Sequence, residues 1–150
     1  MRNSLVAGNK SPTGPDILGP LTSQGYNLIQ NTKDTTFAPT QAHETDLLQV
    51  APSALGIDPL LRDNNGPTLT HALLLGSVAI DRIPPSNCRI KDISTDQRGV
   101  RRPQRVACDI GAYSVAEVDF SPPRKSLLQQ LSTEAFCRER LSNRLTFVNE

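Results

Sequence analysis

The apolar residues of this chain fall in short clusters, two to four long, each closed by a polar or turn-forming residue. Leu5-Val6-Ala7 lies between Asn3-Ser4 and Gly8-Asn9. Asn27-Leu28-Ile29-Gln30-Asn31 has the same shape, and its Leu28 follows Leu5 by 23 positions. Asp16-Ile17-Leu18-Gly19 sits between the two, and a weaker copy, Ile57-Asp58-Pro59-Leu60-Leu61, follows an irregular stretch from Thr32 to Pro52. Clusters this short fit strands joined by turns better than helices. Recurrence at spacings in the twenties suggests coils of a solenoid, each burying its apolar side only against the next. Asparagine suits the corners of such coils, because it tolerates left-handed backbone angles and can form ladders when stacked in register.

Proline reinforces the pattern. Twelve prolines are spread so that, between Pro12 and Pro123, no proline-free interval exceeds 18 residues. Each interior proline removes a backbone donor and clashes with the preceding turn, so long helices are excluded over most of the length. Asp63-Asn64-Asn65-Gly66-Pro67 is a strong turn, and Thr68–Leu75 and Ser77–Ile80 are short segments stopped by Gly76 and Asp81. The last 30 residues differ. Leu128, Leu131, Ala135, Leu141 and Leu145 fall near one face of an amphipathic helix.

Charge excludes more than it suggests. Sixteen basic and 15 acidic residues leave a net charge of +1, which argues against non-specific nucleic-acid binding. No apolar run reaches the roughly 18 residues of a membrane-spanning helix. The start, MRNSLVAGNK, lacks the apolar core of a secretory signal. Composition alone would therefore place the chain in the cytosol.

The ordered series IDPLL, DNNGPTLTHALLLGSVAID, Cys88, TDQRGVRRPQ and CDIGAY argues for another address. It resembles the choice-of-anchor Q domain, and NSLVAGN, DILG and TSQGYNLIQN resemble the last regular coils of the same proteins. Val78 and Ser114 depart from the family pattern, where a proline and an acid are usual. The resemblance implies an all-β chain, the C-terminal coils of a right-handed parallel β-helix with a loop-rich cap and a short helical tail. It implies last coils over 1–61, a capping module over 62–118 and an unmatched tail over 119–150. It also implies an extracellular or cell-surface location in a bacterial parent protein, with upstream coils and cell-surface polysaccharide as partners. The chain begins inside a coil without a leader, so it reads as a fragment that self-associates when isolated.

The candidate chemistry is weighed against that background. Arg98, Arg101, Arg102 and Arg105 lie in one loop-like stretch without interleaved aromatics or a periodic face, which favours a cap over a phosphate patch. Asn65, Gly66, Pro67, Asp81, Asp96, Gly99, Asp109 and Gly111 are the turn and cap residues expected to build it. Cys88 and Cys108 flank the arginine loop 20 positions apart. A disulfide there agrees with an oxidising compartment; a zinc site, lacking C-x-x-C, and two buried thiols are the rivals. Cys137 is left as a free thiol in the tail.

No catalytic residue, metal site or cofactor emerges. His43-Glu44 lacks the second histidine of H-E-x-x-H, and His71 sits alone among apolar residues. Ser77 is not in a G-x-S-x-G elbow. Asp58, Asp63, Asp81, Asp96 and Asp109 fit no EF-hand spacing. Two readings remain: a non-catalytic structural or adhesive surface segment, and a fragment of a polysaccharide lyase or hydrolase, which rests on fold analogy alone.

Overall fold

The computed structural model describes residues 1–38, 42–89 and 93–116, which lie in the first of two units, Met1–Phe120 and Ser121–Glu150. The tail helix expected over 119–150, and Cys137 with it, lies outside the described residues.

Five short strands come first: β1 (Leu5–Val6), β2 (Gly19–Leu21), β3 (Leu28–Ile29), β4 (Thr35–Phe37) and β5 (Leu47–Leu48). β1, β3 and β5 form one parallel sheet in the order β1-β3-β5, with Leu5, Leu28 and Leu47 in register. β2 and β4 form a second parallel pair, Gly19 opposite Thr35 and Leu21 opposite Phe37. Asn3 and Tyr26, two residues before β1 and β3, both take left-handed angles, φ 53° and 55°. Asparagine adopts that region readily and tyrosine rarely does, so Tyr26 is held there by its surroundings.

A polar ladder sets the register. Ser4, Asn27 and Asp46 each directly precede a strand of the first sheet. The Ser4 N–H donates to Asn27 Oδ1 (3.1 Å), and the Asn27 N–H donates in turn to Asp46 Oδ1 (2.9 Å). Asn27, fully buried, also donates through Nδ2 to Met1 O, Ser23 Oγ and Asp46 Oδ1. Beyond the strands, Gln30 Oε1 accepts the Gly8 N–H at 2.8 Å. A one-residue slip would orphan the buried Asn27 side chain, where each unpaired group costs about 1–3 kcal/mol. Asn27→Ala is therefore expected to lower stability by about 3 kcal/mol, measured by denaturant unfolding.

After β5 the chain changes character. Two four-residue helices, α1 (Pro52–Leu55) and α2 (Pro85–Cys88), each start on proline, whose missing N–H is no loss at that position. α1 ends on Gly56 at φ 54°, packed so closely on Ser77 that a Cβ would meet its Cα at 2.7 Å. Ser77 Oγ donates to Leu55 O, tying the two segments together.

The expected right-handed parallel β-helix is corrected here. Among the described residues the molecule is mostly irregular chain, and no solenoid closed by hydrogen bonds is present. The third strand of the first sheet is Leu47–Leu48, inside the stretch read as irregular. The supposed later copy at Ile57–Leu61 instead folds back antiparallel, with bridges Ile57 to Leu73 and Arg62 to Thr70. Further on, Ile83 bridges Cys108 and Thr95 bridges Arg101, again antiparallel. The Asn65-Gly66-Pro67 turn supplies the reason. Asn65 takes φ 62° and reverses the chain on itself, so the next segment meets its immediate predecessor rather than a coil below.

The core joins both halves. Leu28 of the central strand packs in one cluster with Leu55, Leu73, Ala79, Ile83, Cys88, Cys108, Ile110 and Val115. Leu5, Tyr26, Leu47 and Tyr113 close its margins.

Candidate functional site: two buried carboxylates, Asp96 and Asp109

Of the residues expected to form a cap, Asp96 and Asp109 are buried carboxylates that order the chain around them. Asp96 opens a turn in which its Oδ1 accepts the N–H groups of Arg98 (2.8 Å) and Val100 (3.0 Å). Its Oδ2 accepts from the Ser114 N–H (2.9 Å) and from Nε and Nη2 of Arg98 (3.0 and 2.9 Å). The pair is nearly solvent-free, with 0% of the Asp96 side chain and 8% of the Arg98 side chain exposed. Arg98 reaches further, donating to Ser114 O and Asn64 O, and its guanidinium lies 3.7 Å over the Tyr113 ring. A desolvated guanidinium is held here by charge, hydrogen bonds and a π-face together. Gly66 lies under the Arg98 stem, where a Cβ would meet Cγ at 2.7 Å.

Asp109 organises the second half. Its Oδ1 accepts the Asp81 N–H (2.8 Å) and its Oδ2 the Val115 N–H (2.7 Å). Asp81, at φ 54°, pairs through Oδ2 with Arg105 Nε at 3.2 Å. Arg102 donates to Gly111 O (2.8 Å) and to Asp109 O. Gly111, at φ 101°, donates to Asn3 O (3.1 Å) and leaves no room for a side chain, since a Cβ would stand 3.0 Å from that of Leu5. This loop is thereby tied to the segment that leads into β1. Gly99 turns at φ 86° in open space, and Asn65 and Pro67 are exposed on the hairpin.

Burial moves two of these groups. The Asp109 carboxyl is pushed above its ordinary value of 3.8, chiefly by desolvation, although the N–H groups of Asp81 and Val115 pull it back down. Desolvation lowers Arg102, opposed by the negative charges of Asp109 and Asp96. For Asp109 the folded chain binds more protons than the unfolded chain between 3.8 and the raised value. Its contribution to stability is present below 3.8 and is lost as pH rises through the folded value. Asp109→Asn should flatten the pH dependence in that window, as read from unfolding curves at a series of pH values.

Cys88 ends α2 and Cys108 precedes Asp109. They form a disulfide with Cα atoms 5.6 Å apart, both residues buried. That bond displaces the zinc and free-thiol readings for this pair. Mutual hydrogen bonds of 2.8 Å between the backbones of Ile83 and Cys108 run alongside it.

The other candidates stay scattered. His43 Nδ1 contacts Thr45 Oγ1 (2.9 Å) and His71 Nδ1 contacts Asp58 O (2.7 Å), both on the surface. Asp58 is lowered by the Leu60 N–H first and Arg62 second. Among the described residues no three His, Cys, Asp or Glu gather where a metal could be held, and no helix is long and apolar enough to cross a membrane.

Sequence reasoning missed the individual roles of Arg98, Arg102, Tyr113 and Asn64, whose Nδ2 closes the hairpin on Thr70 Oγ1 at 2.9 Å. One signal was legible: an aspartate followed two residues later by Arg98 and then by Gly99 is the composition of an Asx turn. No protein-family model, curated protein or solved structure matches this chain.

Proposed function

We propose that this chain is a non-catalytic structural module that closes part of a larger secreted or surface-displayed protein. The observation that carries the reading is the fate of the cap's charged groups. Asp96, Asp109, Arg98 and Arg102 direct their hydrogen bonds at backbone groups or at each other. A substrate would have to displace those bonds to be held by the same atoms. The Cys88–Cys108 disulfide supports an oxidising compartment. The resemblance of IDPLL, DNNGPTLTHALLLGSVAID and CDIGAY to a closing module of surface proteins points the same way. Exposed Leu60, Leu61, Leu69 and Leu75 supply apolar surface suited to contact with the rest of a parent protein.

The test is direct. Purified chain is incubated with polygalacturonate and with alginate, with and without calcium, and unsaturated product is followed by ultraviolet absorbance. No turnover is expected. Calcium-dependent turnover that disappears on replacing Asp58, Asp63 or Asp81 by alanine would establish a lyase instead.

A further inference from the structure

Seven arginines are followed by a described residue, and the peptide bonds after them differ in how firmly they are held. After Arg2, Asn3 is buried and donates to Gly25 O at 3.2 Å. Arg62 exchanges two backbone hydrogen bonds of 3.0 Å with Thr70. Ile83, after Arg82, is 0% exposed and donates to Cys108 O. Gly99 donates to Asp96 O and Arg102 to Ser94 O, which fastens the bonds after Arg98 and Arg101. Arg102 itself is turned inward onto Gly111 O and Asp109 O. Arg105–Val106 is the exception. Pro103, Gln104, Arg105 and Val106 are exposed in succession, Val106 to 80%. Val106 makes no hydrogen bond among the described residues. Arg105 Nε pairs with Asp81 in a part-exposed ion pair, and such pairs hold a side chain weakly.

Endopeptidases cut segments that leave the fold at little cost, and exposed loop tips are their preferred sites. A trypsin-like specificity pocket offers a carboxylate to arginine, so Arg105 would exchange one acidic partner for another. We propose that the Arg105–Val106 bond is a processing site for an arginine-specific endopeptidase, and that the product is a two-chain protein joined by the Cys88–Cys108 disulfide. The step consumes one water. The amide C–N bond breaks, Arg105 ends as a carboxylate carrying the water oxygen, and the Val106 nitrogen takes both water hydrogens as an ammonium. Cys88 lies on one product chain and Cys108 on the other. The Ile83–Cys108 backbone pair and the hydrogen bonds of Arg98 and Asp96 to Ser114 also cross the cut. Cleavage therefore opens the loop without releasing either piece. This inference is independent of the closing-module reading.

The experiment treats the full, oxidised chain under native conditions with a trace of arginine-specific endopeptidase and maps the cuts by mass spectrometry. Within residues 1–116 the first cut is expected at Arg105–Val106, at least about tenfold faster than at any other arginine, because it needs no opening of the fold. The products should migrate together without reductant, separate with it, and keep the circular dichroism spectrum of the uncut chain. Arg105→Gln should slow cutting within 1–116 by about tenfold or more. A faster cut at any other arginine of that range, Arg89 included, or unchanged cutting in Arg105→Gln would overturn the proposal. So would a cut at Arg105 that appears only where denaturant unfolds the chain, or products that separate without reductant or lose the spectrum.

Discussion

Asp96→Ala is expected to lower the unfolding free energy by about 3–5 kcal/mol, the range for breaking a buried ion pair by removing one partner. The substitution leaves the Arg98 guanidinium desolvated without its counter-charge and releases the N–H groups of Arg98, Val100 and Ser114. Arg98→Met provides the comparison. It keeps an apolar stem against Tyr113 and Gly66 and leaves Asp96 with its three backbone donors, so its cost should be smaller. Denaturant unfolding followed by far-ultraviolet circular dichroism measures both. Equal losses in the two variants would mean that the carboxylate matters only as the partner of Arg98, and the organising role assigned to it would fail.

Reducing the Cys88–Cys108 bond should remove roughly 3 kcal/mol, because the 20-residue separation it spans regains its freedom mainly in the unfolded chain. Both cysteines belong to the main apolar cluster, so the reduced thiols remain well packed and the native cap should persist in mild conditions. A Cys137→Ser background removes the third thiol from the comparison. Unfolding midpoints with and without a phosphine reductant report the difference. An unchanged midpoint would show that the Ile83–Cys108 backbone pair and the surrounding core already hold the loop.

The opening clusters were legible because strand sequence and coil corner sit side by side in the chain. Leu5 and Leu28, noticed for their spacing, are register partners. Leu47 was hidden for a physical reason: Thr45-Asp46-Leu47-Leu48 lacks the asparagine that marked the first two clusters. Asp46 does the same work as Asn27, accepting through Oδ1 the N–H of the residue one strand away. The interchange is chemical, since only an acceptor oxygen is required there, and pattern matching on asparagine could not see it.

The arginine loop marks the opposite limit. Its four arginines were read as lacking a periodic or aromatic-interleaved face, yet nothing local distinguished Arg98 and Arg102 from the exposed Arg101. Their roles depend on Tyr113, Ser114, Asn64 and Asp109, which lie up to 34 residues away along the chain.

By itself the sequence determined the local grammar. Dense proline kept the described helices to four residues, the Asn65-Gly66-Pro67 turn reversed the chain, and the spacing of two leucines placed two strands side by side. Only the tertiary structure decided that the chain after β5 pairs antiparallel rather than stacking as further coils. Only it turned two arginines inward and decided for the Cys88–Cys108 disulfide that the sequence had set against zinc and free-thiol rivals. Each of these depends on which distant segments share one dry interior, where an unmatched charge or carbonyl costs more than any local preference contributes.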